Sequence, residues 1–285
     1  MADNRRGVRG RLGLLALLAI IGVAGLALWA TWWAPSRQPP AAPVAAAPDA
    51  PPPVTALPPV KTTPPPLSRT DLILEAEARA AASPGAPSGG RDTLVDRRFS
   101  LRIPFGCEGP QIGSGRAQAH YEVDAERRTL KLVARPVDLA RHPLVTQSPE
   151  AKTIEALETF WVPRPWTRTD TCPPRRDRPA SATPTPPSPP TLGLATISEV
   201  GASRLRRRAE RPYELVRKVP DDEPLPLSAS YSLVLEGRLA AFPTGGAIRC
   251  WSESSEHRPV CVYAVALDRV AFETPDGELL AEWRD

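Results

Sequence analysis

Residues 12–33 read LGLLALLAIIGVAGLALWATWW, 22 consecutive positions without a charge. At about 1.5 Å per residue this makes a helix of roughly 33 Å, enough to cross a hydrocarbon core of about 30 Å. Arg5, Arg6, Arg9 and Arg11 precede the stretch and only Arg37 follows it closely. The positive-inside bias therefore predicts a cytoplasmic basic arm at 1–11 and an extracytoplasmic remainder, with Trp29, Trp32 and Trp33 at the outer interface. A cleavable signal peptide has a shorter apolar core, about 7 to 15 residues, followed by small residues at the cleavage site. Here bulky Trp ends the run, and a retained transmembrane helix is the expected outcome.

The segment that follows cannot pack. Residues 35–67 hold 13 Pro in 33 positions, mixed with Ala, Val and Thr, so residues 34–67 are expected to form a disordered, partly polyproline II spacer. Ser68-Arg69-Thr70-Asp71 has the capping-box pattern and opens the run LILEAEARAAA, which predicts a short helix near 69–82 inside a helix-and-linker region at 68–90. Its apolar bulk is confined to Leu72, Ile73 and Leu74, too little for a coiled coil.

Charge excludes one function class. Formal net charge is +4, of which residues 1–34 supply +3, while the last 195 residues carry 28 basic against 27 acidic groups. A nucleic-acid surface must neutralise phosphates, so no nucleic-acid partner is expected. Thirty-two of 36 basic residues are Arg and Asn4 is the single Asn, a usage that reads as a GC-rich bacterial genome and leaves no N-glycosylation site. The membrane is then the bacterial inner membrane, and the remainder of the chain is periplasmic.

From residue 91 the apolar period becomes two. Phe99, Leu101, Ile103 and Phe105 alternate with Arg98, Ser100 and Arg102; Tyr121 and Val123 with His120 and Glu122; Leu130 and Leu132 with Lys131. Such alternation marks strands with one buried face. Residues 153–162 predict a further strand. Residues 230–283 predict a four-strand antiparallel meander, its long strand pairing first with 247–251 and then with 278–283. Within 91–285 a helix is expected only at 212–219, PYELVRKV, with Pro in its first turn. Residues 173–190 carry eight Pro in 18 positions and read as a surface loop. The expectation is a mainly β fold, an antiparallel β-sandwich or open barrel over 91–285.

Four Cys, at 107, 172, 250 and 261, lie in a compartment where disulfides persist. Cys250 ends one strand and Cys261 starts the next, so they are expected to pair, leaving Cys107 for Cys172. A metal site on Cys250, His257 and Cys261 would lack a fourth ligand and the usual ligand spacing. Ser252, Ser254, Ser255, Glu253, Glu256 and His257 come from one hairpin tip, whereas catalytic triads converge from separate segments. His120 and His142 are expected to face solvent. Gly109 to Gly115 lacks the Lys-Ser/Thr of a phosphate loop, and Asp221-Asp222-Glu223 lacks calcium-loop spacing. The Arg-rich run RLRRRAER at 204–211 reads as a solvated patch. Neither a cofactor nor a catalytic set is expected.

One string remains. Phe160-Trp161-Val162-Pro163-Arg164-Pro165-Trp166 places two Trp around a strand-ending Pro-x-Pro. Trp161, Arg164 and Trp166 form the candidate interface, with Trp166 expected to be more exposed than Phe160 because Pro163 ends the ladder before it. In layout, with a basic arm, an anchor, a Pro-rich spacer and a small periplasmic domain, the chain is similar to TonB-type energy transducers and to the inner-membrane adaptor of type II secretion. The Glu-Pro and Lys-Pro repeats of the former are absent, and no residue role follows from the likeness. The functional expectation is a single-pass inner-membrane protein presenting a periplasmic β domain to an envelope protein partner. The alternative is an envelope enzyme acting on glycan or peptide.

Overall fold

Alternating side chains dictate most of the strands. In β1 (Arg98–Phe105), Phe99, Leu101 and Ile103 turn inward and are buried while Arg98, Ser100 and Arg102 turn away from the core. The structure, a computed structural model, describes residues 64–82, 92–111, 117–174, 188–203, 207–209 and 211–284. The apolar segment at 12–33 and the spacer as far as residue 63 lie outside the described residues, as do 112–116 and 175–187. Among the described residues no helix is long and apolar enough to cross a membrane.

The remaining strands are β2 (Ala119–Asp124), β3 (Thr129–Ala134), β4 (Val137–Asp138), β5 (Ile154–Trp161), β6 (Leu192–Glu199), β7 (Tyr213–Lys218), β8 (Tyr231–Leu239), β9 (Ile248–Trp251), β10 (Val260–Glu273) and β11 (Leu279–Arg284). The helices are α1 (Arg69–Ala81) and the single turn α2 (Pro143–Thr146). The fold is mainly β. Eight strands share one sheet, in the order β1-β8-β10-β6-β5-β4 with β9 and β11 also on β10, and β2-β3-β7 form a second sheet. The described strands close no barrel.

Three expectations need correction. The large sheet is not wholly antiparallel, because β6 runs parallel to β10, Cys261 opposite Leu192. Residues 230–283 are not a meander. β9 and β11 do pair with the two halves of β10, but β8 pairs with β10 rather than with β9. Ala240 N–H donates to the Ala264 carbonyl and Ala264 N–H donates to the Ala247 carbonyl, so β8 and β9 lie end to end along the same side of β10. The turn between them, with Gly245 and Gly246 both at positive φ, redirects the chain along β10 instead of folding it back on β8. Finally, residues 213–218 are strand β7 and not helix. Tyr213 opposite Ala134 and Leu215 opposite Leu132 complete the ladder on β3, and this pairing overrides a weak local preference.

β10 holds the large sheet together. Its register slips between Leu267 and Arg269, so Asp268 forms a bulge; β6 and β9 pair with the strand before the bulge, β11 pairs with it after, and β8 spans the bulge. β8 approaches so closely here that a Cβ on Gly237 would lie 2.1 Å from the Ala266 carbonyl oxygen. The main core lies between the two sheets, with Phe99, Leu101, Tyr121, Leu132, Leu235 and Phe272 among its members. A second cluster, including Leu144, Leu157 and Phe242, covers the opposite face of β5, β6 and β10.

α1 belongs to the main core. Its Ser68 cap and Asp71 form the capping box, and Leu72, Ile73 and Ala76 face the sheet while Leu74 stays exposed. Tyr263 Oη donates to the Leu72 carbonyl at 2.6 Å. The extended residue Leu67 adds a parallel bridge to β1 through hydrogen bonds with Arg98 and Ser100.

Candidate functional site

Both disulfides form as the spacing predicts. Cys250 and Cys261 sit directly opposite each other in β9 and β10. Cys107 joins Cys172 across 65 residues, tying the end of β1 to the chain beyond β5. Gly106 makes the exit from β1 possible. Its φ is +74°, and a Cβ there would meet the Tyr121 ring at 2.6 Å, so the turn that delivers Cys107 requires Gly.

Between that disulfide and the loop following β5 lies a half-open cavity of about 510 Å³. Its walls include Phe105, Cys107, Trp161, Arg164, Trp166 and Pro190. All three candidate interface residues thus line one cavity. Trp166 is 50% exposed and Phe160 is 2% exposed, as the strand-ending Pro163 implies; Trp161 is half-buried. Arg258 lies 5.9 Å from the Trp166 ring centroid, within cation–π range.

The loop is held from below by a residue that the sequence did not single out. Arg69, in the first turn of α1, is buried and donates from Nη2 to the carbonyls of Pro163 (2.6 Å) and Arg164 (3.2 Å) and from Nε to that of Thr167 (3.0 Å). Burial lowers the Arg69 pKa; the Asp170 carboxylate opposes this and Arg164 adds to it. Burial likewise pushes the Asp170 carboxyl up, against Arg69 and Arg102. One signal in the sequence could have found Arg69: a cation at a helix N-terminus opposes the helix dipole, so an Arg there suggests a partner elsewhere. Arg164 itself has φ +50°, a conformation costing on the order of 1 kcal/mol for a non-Gly residue. Its carbonyl accepts from Thr167 N and Oγ1 as well as from Arg69, and these bonds offset that cost.

Gln118 completes the wall. Its amide donates to the Thr159 carbonyl at 2.7 Å and accepts from Trp161 N–H at 2.8 Å, patching the side of β5 beyond β4. Burial lowers the Arg164 guanidinium pKa, and the Glu108 carboxylate acts in the opposite direction. Arg164 Nη2 lies 3.9 Å from Cys107 Sγ.

The other sequence candidates stay apart from the cavity. Ser254 Oγ and His257 Nδ1 are 2.8 Å apart and His257 Nε2 is 3.7 Å from Glu253, but these side chains stand on an exposed hairpin tip and do not line the cavity. His120 is a correction: it is buried, its Nδ1 2.9 Å from the Ala117 carbonyl and its Nε2 3.4 Å from Glu122. His142 caps α2, accepting from Leu144 N–H, and is not free at the surface. Arg207 pairs with Glu155 at 2.9 Å and Asp138 at 3.9 Å, so the Arg-rich run is in part internally neutralised. Residues 204–206 and most of the 109–115 loop lie outside the described residues. Among the described residues no His, Cys, Asp and Glu cluster could hold a metal.

Comparison of the chain with protein families, with curated proteins and with solved structures yields no match. The functional reading therefore rests on the geometry of the cavity.

Proposed function

We propose that this chain is a single-pass protein of the bacterial inner membrane. Residues 12–33 anchor it, the Pro-rich spacer carries residues 91–285 into the periplasm as a disulfide-bonded β-sandwich, and that domain contacts an envelope protein through Trp161, Arg164 and Trp166. One observation carries the contact reading: the aromatic-Pro string lines a preformed cavity beside a disulfide, with Trp166 half-exposed at its edge. Trp and Arg in a rigid apolar pocket have the composition of an interface hot spot. Two intramolecular disulfides among the described residues favour an oxidising compartment. The rival enzyme needs two carboxylates, or a nucleophile with a base, converging on one cleft; among the described residues Glu108 is the single carboxylate lining this one.

The test has two arms. A C-terminal alkaline phosphatase fusion is expected to be active, and inactivity overturns the topology. A photo-cross-linking amino acid at position 166 is expected to capture an envelope protein in living cells, while the same group at Leu227, exposed and absent from the cavity wall, is not.

A further inference from the structure

We infer that the cavity is a docking groove for a proline-rich segment of an envelope partner, bound in the polyproline II conformation. The inference rests on the reading of the domain as a protein-contact module and names the partner's chemistry. It follows from counting what the walls still have to offer. The ring surfaces include those of Trp161, Trp166, Pro163, Pro165, Pro189 and Pro190, and flat indole and prolyl faces stack well on one another.

The polar inventory leans towards donors, because the Glu108 carboxylate on the same wall already lies beside the Arg164 charge. Two acceptors on the loop are occupied, since Arg69 takes the carbonyls of Pro163 and Arg164. Gln118 spends both ends of its amide on β5, and Gln111 Oε1 accepts from Ala117 N–H. The Trp161 and Trp166 indole N–H groups have no hydrogen-bond partner among the described residues, and the Arg164 guanidinium has only the Cys107 sulfur and the nearby Glu108 charge. The two indole N–H groups, the Gln111 side-chain NH2 and the part of the Arg164 guanidinium not turned to Glu108 thus remain as donors. A ligand that fits them supplies acceptors and few donors.

A proline-rich strand does this. Each residue presents a carbonyl, Pro has no N–H, and polyproline II makes no internal hydrogen bonds. An ordinary extended peptide brings as many N–H groups as carbonyls, more donors than the Glu108 carboxylate on this wall can take. A purely apolar ligand such as an acyl chain would desolvate the donors without pairing them. The volume of about 510 Å³ lies within the range of roughly 300–1,000 Å³ usual for ligand pockets. Polyproline II is also rigid before binding, so little chain entropy is lost in a shallow site. The other way of holding a peptide, adding a strand, is closed at the neighbouring edge. The outward groups of Arg98 and Ser100 already bond Leu67, and Pro104, next but one in the same alternation, has no N–H.

The experiment uses the full chain in detergent and follows the anisotropy of fluorescein-labelled decaproline. Saturable binding is expected, with none for a Gly-Ser peptide of equal length. Trp166→Ala should weaken it at least about tenfold, and Trp166→Phe, which keeps a ring and removes the indole N–H, should fall between. Both variants should keep the thermal midpoint of the wild type, which separates lost binding from lost fold. No binding up to about 1 mM, equal binding by Trp166→Ala, or preference for labelled palmitate overturns the inference. Binding that appears only after residues 34–61 are deleted would give the groove to the chain's own spacer and also overturns it. A cross-link from position 166 without decaproline binding leaves the contact module standing and removes the proline-rich partner. Decaproline binding without an envelope cross-link does the reverse.

Discussion

Arg69 and Glu150 show how much of this fold depends on single buried charges. Arg69 holds three loop carbonyls, and removing its guanidinium takes this donor from all of them, while the Arg164 carbonyl keeps its bonds from Thr167. Arg69→Met, which keeps the apolar stem, is expected to cost about 3 kcal/mol in urea unfolding and to loosen Trp166, read as faster acrylamide quenching. Glu150, 2% exposed, accepts from Arg249 and from Thr244 N–H. Burial alone would push its carboxyl up, but these bonds and the Arg249 charge outweigh it and hold it below the ordinary carboxylate range. A depressed folded-state pKa gives stability that is present above the unfolded value of about 4.3 and is lost as pH falls through the folded value. Glu150→Gln should therefore be less stable than wild type at pH 7 by about 2 kcal/mol, with the gap closing below about pH 4. Chemical unfolding across pH checks this. The exposure of Trp166 was legible in the sequence because Pro163 removes a ladder donor before it. The burial of His120 was not, because alternation gives a side chain's face but not what covers that face.

The disulfides and β7 show the same division among elements. Cys250 and Cys261 flank a hairpin, so their register follows from the chain itself, and Cys107 with Cys172 follows by elimination. The longer loop constrains the unfolded chain more. Replacing Cys107 and Cys172 together by Ala is expected to cost about 4 kcal/mol, and replacing Cys250 and Cys261 about 3 kcal/mol. Denaturation of the two double variants orders them, and the reverse order would mean that packing of the buried Cys261 outweighs loop entropy. Residues 212–219 read as helix because Pro212 suits a first turn. The ladder on β3, and the Tyr213 ring packed 5.2 Å from Trp283 and 5.9 Å from Phe160, decide otherwise. None of those partners is near in sequence.

At the scale of the whole molecule, the helix that the sequence places in a linker is a structural member. Leu67, Leu72 and Ile73 are all under 10% exposed and join the core of the sheets. Burial of each side chain contributes about 2 kcal/mol, a large share of the roughly 5–15 kcal/mol by which domains are stable. A fragment of residues 64–285, expressed in an oxidising compartment, is expected to unfold in one cooperative transition. A fragment of residues 92–285 should bind a hydrophobic dye and lose its near-UV circular dichroism. Equal cooperativity of the two fragments would show α1 to be dispensable.

The amino-acid order determined what depends on near neighbours: which faces of β1, β2 and β3 turn inward, where Ser68 caps α1, where Pro163 stops β5, and which cysteines meet in the hairpin. Each follows from backbone geometry over a few residues. Only the tertiary structure decided that β8 and β9 share one side of β10, that β6 lies parallel to it, and that Arg69 reaches the loop nearly a hundred residues away. A period of two says that a strand has a buried face, but several strands can satisfy that face equally well. The choice among them is made by bulges, close approaches such as Gly237 on Ala266, and buried charges that must find partners, all of which exist only once distant segments are packed together.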